Sequence, residues 1–456
     1  MATTYTRPSD WLTMPTVATS SQTFAGLFAV CNHDSNYVAL LATTNTGNYQ
    51  VDWGDGTITT HASNTQAEYK YTYSSISDST LCSRGYKQVI VRVTPVSGNI
   101  LTFNTARAHS VSGTRKVTWL DWIINFPYFS SGASLVTQGG VGSRHSWIEK
   151  VTISHIGGLT DISLICASMT ALREFNITAT TTGVTNTYNM FGHCWNLTSV
   201  NLFNTANVTN AANMFWSCYL LEEIPNFNFS KVTSATAMFQ NCYKLKTVPA
   251  LDMRLNIDFS NMFANCPNLT EIGLMDVRSG TNFNTFANGC FKLKTVANLN
   301  MGKATTATSA FANCYSLDNF PAMTVGTASC NLTSFLSTTG SLKTIGAMDV
   351  SKAVNFTSFL TGTPALRIYP AFNVNAGTTL TGMVGNMVTK VPFTNVRASL
   401  SLANKNLGRL AIIEVFNGLA SGVTSRNITI SANPGLATLT ATDRAIATAK
   451  GWTIVG

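Results

Sequence analysis

Cysteine is the residue type in this chain best able to do chemistry, and six of its ten cysteines fall on one spacing. Cys194, Cys218, Cys242, Cys266, Cys290 and Cys314 lie 24 residues apart in succession. Zinc would need C-x-x-C pairs or histidines at set offsets, and the sequence has neither arrangement. Bridges between neighbouring coils are sterically conceivable, but a reducing place of synthesis argues against them. A period this regular describes one structural slot visited once per turn of chain. The free thiol then serves as a small buried hydrophobe. The expectation is a column of stacked, unbridged thiols.

Other candidates for chemistry are weaker. Asp52 and Asp55 could be calcium ligands, but an Asp-Gly turn needs no metal and no third carboxylate is near in sequence. His33, His61, His109, His145, His155 and His193 are dispersed. The segment GVGSRHS at 140–146 lacks the Lys-Ser/Thr and the strand–helix frame of a phosphate loop. Glu222 and Glu223 are adjacent, and neighbouring residues of a strand face opposite ways, so they could not share a substrate. No catalytic residue, cofactor site or metal site is expected, and the protein reads as a non-enzyme.

The elements around the cysteines repeat with them. Phe191, Phe215, Phe239, Phe263 and Phe311 precede their Cys by three, and Phe286 by four. Leu197, Leu221, Leu245, Leu269, Leu293 and Leu317 follow by three. Phe335 and Phe359 continue the series where Thr338 and Gly362 take the Cys slot, with Leu342 and Leu366 one residue out of step. Each Leu should open a short strand, as in Leu197-x-x-Val200-x-Leu202 and Leu269-x-x-Ile272-x-Leu274. Pro225, Pro249, Pro321 and Pro370 bend the chain after the middle apolar residue. One coil cannot bury these side chains alone, whereas stacked coils share a continuous apolar column.

The recurring N-M-F-x-x-C-x-x-L-x-x-I/V, preceded by N-V-T-N, resembles the BspA-like leucine-rich repeats of bacterial and phage surface proteins. That resemblance implies adhesion and recognition. The fold expected is mainly β: a leucine-rich-repeat solenoid over 146–400, with a small N-terminal β-sandwich and an α/β cap over 401–456. In the cap, NLGRLAIIEVFN at 406–417 should be a helix ending at Gly418, NITISAN a strand, and a last helix should start at Thr440 with Asp443 as its capping-box partner.

Toward the other end, Trp53-Gly54-Asp55-Gly56-Thr57 makes a hairpin turn between alternating runs. With Tyr71-Thr72-Tyr73 and a following V-x-V strand, it resembles polycystic-kidney-disease-type (PKD-like) domains, which act mainly as spacers. The insertion SSISDSTLCSRGYK departs from that pattern. The module is placed at 36–100, with a connecting region at 101–145. Residues 1–35, with RPSDWLTMP, resemble the opening of tailed-phage structural proteins and read as an assembly arm.

Composition bounds what these parts can serve. At 456 residues the chain exceeds one ordinary core. Only 11% of residues are charged, against about 25% in typical domains. The net charge of +9 is scattered without a run of three basic residues, which argues against a nucleic-acid partner. No apolar run nears the roughly 18 residues of a membrane span, and the polar opening lacks a secretory signal. The reading is a virion structural protein made in a host cytoplasm: a tail fibre, tail-associated or capsid-surface protein. Its partners would be other virion proteins, a host-surface glycan or protein, and copies of itself. The alternative is a cellular surface adhesin.

Overall fold

The computed structural model describes residues 5–34, 36–111, 113, 118–129, 134–136, 145–178, 181–326 and 329–456. The chain divides into two units, Met1–Phe229 and Ser230–Gly456. Both are mainly β, and both contain stacked coils.

The first unit holds β1 (Thr23–Val30), β2 (Tyr37–Thr44), β3 (Tyr49–Asp52), β4 (Ile58–His61), β5 (Ala67–Lys70), β6 (Lys87–Pro95), β7 (Ile100–Asn104), β8 (Trp119–Asn125), β9 (Ser134–Val136), β10 (Lys150–His155), β11 (Glu174–Ile177) and β12 (Ser199–Val200). One sheet runs β12-β11-β10-β8-β1-β6-β3-β4 and the other β5-β2-β7-β9. Phe24 of β1 and Phe103 of β7 meet at 4.7 Å between ring centroids, so the sheets pack face to face as a sandwich.

β1 reads TFAGLFAV and is buried along its whole length. Such a run has no polar face, so it must be covered on both sides and paired on both edges. It lies between β6 and β8, antiparallel to each. A Cβ on Gly26 would come within 2.4 Å of the Trp119 ring, so glycine is what lets that indole lie across the strand.

This corrects the expected division of the N-terminal third. Residues 1–35 are not an arm without a core. They supply the central strand, and Trp11 is buried against Leu27, Ala29, Cys82, Tyr86 and Leu120. Arg7 pairs with Asp121 at 2.7 Å. Nor is 101–145 a mere connection, since β7 and β8 belong to the two sheets of the sandwich.

β8 is also where pairing changes sense. It is antiparallel to β1 but parallel to β10, with Val151 opposite Trp122 and Ile153 opposite Ile124. β11 and β12 continue in parallel, with Phe175 opposite Val200. The first coils therefore grow directly from the sandwich sheet.

Between strands each coil runs through consecutive tight turns. Met190 N–H donates to Thr187 O and Cys194 N–H to Phe191 O, closing two turns. Their third residues, Asn189 and His193, have φ of 50° and 62°. That left-handed region admits Asn, His and Gly more readily than branched residues. Intervening N–H groups reach the next coil instead: Asn189 to Ala212, Phe191 to Met214, His193 to Trp216. Every backbone donor in this stretch is thus used, half within the coil and half between coils.

The second unit repeats the arrangement, with parallel pairs such as Leu251–Asp252 with Met275–Asp276 and Glu271–Ile272 with Thr295–Val296. The cap continues the same parallel ladder through Leu400–Ser401, Arg426–Thr429 and Trp452–Val455. Helix α1 (Arg409–Gly418) and helix α2 (Ala441–Thr448) fill the return paths. Thr440 and Asp443 form the capping box that the sequence indicated. α1 begins a turn later than expected, at Arg409, and ends on Gly418. Among the described residues no helix is long and apolar enough to cross a membrane.

Candidate functional site

The Phe, Cys and Leu slots named from spacing, from Phe191 to Leu317, are fully buried in both units. Phe239 and Phe263 stack with rings 5.6 Å apart and 3° from parallel. Phe286 occupies the slot filled by Met262 one coil earlier and Met238 two coils earlier, which is why it precedes its cysteine by four. It therefore meets Phe263 edge-on, at 81°.

The thiols point inward and lean on the preceding coil. Cys194 donates to Cys166 O at 3.0 Å, Cys266 to Phe239 O at 3.1 Å and Cys290 to Phe263 O at 3.2 Å. Burial pushes the Cys290 thiol up to about 12 and raises Cys194, Cys266 and Cys314 as well. A thiol so placed stays protonated and cannot act as a nucleophile at neutral pH.

Two local readings change. Thr338 and Gly362 are not in the Cys slot. They have φ of 60° and 77° and match the left-handed turn residues Asn313 and Gly289. The buried slot belongs to Thr339 and Thr363, whose hydroxyls donate to Leu336 O and Leu360 O at 2.8 Å. An extra residue between Val325 and Asn331 shifts the register from 24 to 25. Cys166 lies where later coils have Phe, with Met169 in its Cys slot. Finally, Leu202 and Leu274, the third apolar residues of the strand motif, are 59% and 72% exposed. The strands are only two residues long, and the chain turns over before reaching these leucines.

Among the described residues, the weaker chemical candidates are not drawn together into one site. The Asp55 carboxylate is spent on its own hairpin, accepting from Thr57 N–H at 3.0 Å and Tyr69 O–H at 2.7 Å. Gly54 and Gly56 have φ of 81° and 94°, and a Cβ on Gly54 would strike Ile90 O. Trp53 is buried and bonded through Nε1 to Thr59, while Tyr71 O–H donates to the Trp53 carbonyl at 2.8 Å. His155 bonds Asn125, and His193 packs on Trp216. Glu222 and Glu223 lie outside any strand, so the opposite-faces argument does not apply to them. Most of GVGSRHS, 140–144, lies outside the described residues. Among the described residues no three His, Cys, Asp or Glu side chains are grouped to hold a metal.

What remains for function is the outside of the coils. Directly after the Cys slot all but one of the six coils carry an aromatic residue, and Trp195, Tyr243, Phe291 and Tyr315 are each 40–45% exposed. Trp195 stacks on Tyr219 in the first unit, and Phe291 on Tyr315 in the second. Exposed lysines sit beside them in the repeated runs Cys242-Tyr-Lys-Leu-Lys-Thr-Val and Cys290-Phe-Lys-Leu-Lys-Thr-Val. Asx turns recur in each unit, where Asn186 and Asn210 in the first and Asn282 and Asn331 in the second accept the N–H two residues on. A third feature is an open cleft of about 570 Å³ in the second unit, crossing the strands at Asp252, Asp276 and Asn300. These surfaces offer side chains that can stack on or hydrogen-bond to a ligand.

Comparison with known families now adds to the geometry. Residues 235–359 match the BspA type leucine rich repeat region, in six copies. BspA-type leucine-rich repeats are found in this chain. Residues 160–271 match DUF285, described as a Mycoplasma protein of unknown function. The two matches overlap at 235–271, so the same coils satisfy both descriptions. No curated protein was found to match. The repeat class points to a surface or adhesin-like protein.

Proposed function

We propose that this protein is a non-enzymatic attachment and recognition component of a tailed-phage particle, as a fibre, tail-associated or capsid-surface protein. The observation that carries the recognition part is the division of each coil. Its reactive groups are consumed inside, while aromatic, lysine, amide and carboxylate side chains repeat on the outside. The phage part rests on the opening RPSDWLTMP and on the sparse charge of the surface. A PKD-like reading of the sandwich is supported by the bond from Tyr71 to Trp53 and the Trp53–Tyr69 stack, which tie the W-G-D-G-T loop to the aromatic strand. Partners would be neighbouring virion proteins, further copies of this chain, and a glycan or protein on the host surface.

The BspA-type match favours a second reading, a cellular surface adhesin. Immunogold labelling separates the two. Label on purified virions is the expected result. Label on the envelope of uninfected cells, with none on particles, would establish the adhesin reading instead.

A further inference from the structure

The cleft in the second unit is built from one short motif used twice. Asp252 and Asp276 are direct partners in a parallel pair, one coil apart. Each carboxylate is clamped by the arginine two residues later on its own coil. Arg254 Nε reaches Asp252 Oδ1 at 2.9 Å, with Nη2 on the second oxygen. Arg278 does the same to Asp276 at 2.8 and 2.6 Å. Asn298 and Asn300 extend the polar wall on the next coil. Leu274 lines the same cleft and stands 72% exposed, offering an apolar surface beside these polar groups.

This chemistry selects its ligand by exclusion and by fit. The carboxylates are already neutralised by guanidinium groups, so neither a metal ion nor a polycation finds an open negative site. The arginines are likewise engaged, so a polyanion gains little. What stays available is hydrogen bonding from groups held in place. Each guanidinium spends two of its five donors on the carboxylate, and each carboxylate and amide keeps acceptor capacity. Side chains locked by bidentate pairs lose little freedom on binding. A ligand rich in hydroxyls, with an apolar ring face to lay on Leu274, matches this set. The cleft size is within the roughly 300–1,000 Å³ of small-molecule sites. The motif recurs at the coil spacing, near 5 Å, so a repeating ligand could use successive coils.

We propose that this cleft binds a neutral polysaccharide, with sugar hydroxyls on Asp252, Asp276, Arg278 and the two asparagines and a ring face on Leu274. The assignment deepens the recognition reading and rests on it.

The full chain is titrated calorimetrically with laminarin, dextran and a mannan, and with alginate as an acidic polymer. Binding to at least one neutral polymer is expected, unchanged between low and high salt, because no net charge is neutralised. Leu274→Ser combined with Asn298→Ala should weaken it tenfold or more while Tm stays the same, both residues being exposed. Phe291→Ala, on a different edge, should leave it unaltered. Failure to bind any neutral polymer at millimolar concentration, binding to alginate alone, or equal binding by the double variant would each overturn the proposal. Attachment of the labelled protein to host cells is scored in parallel. Attachment that survives the double variant sinks the cleft and spares the recognition reading, whereas wild-type protein that attaches to nothing sinks both.

Discussion

Removing one ring from the buried column gives the sharpest test of how the coils hold together. Phe263 is fully buried, stacked on Phe239 at 5.6 Å and set edge-on against Phe286 at 5.4 Å. The backbone around it cannot close over a void. Asn261, Phe263 and Asn265 N–H donate to the next coil at 3.0, 2.7 and 2.7 Å, and these rungs fix the coil spacing. A cavity that cannot collapse costs more, so Phe263→Ala should lose about 4 kcal/mol, within the ~3–5 range for such truncations. The two ring contacts account for about 0.5–1.5 kcal/mol each of that loss. Phe291→Ala is the matched control: its ring is 45% exposed and stacks on Tyr315 alone, so a loss of about 1 kcal/mol or less follows. Urea unfolding gives the energies, and hydrogen exchange shows where protection is lost. The loss should centre on coils 239–290 and fade with distance, as nearest-neighbour coupling requires. Equal costs for the two variants, or a loss below about 1.5 kcal/mol at Phe263, would refute the packed-column reasoning.

Four further outcomes follow from named contacts. In native protein at pH 8.5, Cys194, Cys266, Cys290 and Cys314 should resist iodoacetamide and react once denatured, because burial keeps them protonated; rapid native labelling would contradict this. The same shift sets a pH dependence. Unfolded thiols ionise near about 8.5 while Cys290 holds its proton to about 12, so the unfolded state binds fewer protons between them. Stability from these thiols is complete below pH ~8.5 and falls as pH rises toward ~12, which a Tm series across that window would show. A chain lacking residues 1–35 should fail to fold its sandwich, read as loss of near-ultraviolet circular dichroism from Trp119 and Trp122, since β1 pairs on both edges; a native signal would show β1 to be dispensable. Gly418→Ala would place a Cβ 1.7 Å from Phe393 O, so a cost of about 1–3 kcal/mol is expected in thermal melts, and a neutral result would mean the backbone there can shift.

The outward surface shows how unevenly the candidate site was legible. The lysines and aromatics beside Cys242 and Cys290 could have been found from the repeated C-(Y/F)-K-L-K-T-V, once the burial of the cysteine and leucine was known. The D-x-R pairs could not be singled out. Asp252 and Asp276 look like any surface acids until parallel pairing puts them side by side. Leu274 reads in sequence as a core residue, and only the shortness of the strand exposes it.

Sequence alone determined whatever repeats: the coil period and the buried Phe, Cys and Leu slots. Each is a local pattern multiplied along the chain, and stacking identical units adds no ambiguity about which side faces in. Tertiary structure decided what happens where the repetition breaks. It placed the extra residue between Val325 and Asn331, moving the buried slot to Thr339 and Thr363. It drew Thr23–Val30 into the middle of a sheet whose neighbouring strands lie more than fifty residues further on. It also made β8 the strand where antiparallel pairing gives way to parallel coils. Strand partners so distant are chosen by burial and by the need to pair every edge, and neither leaves a periodic mark in the sequence.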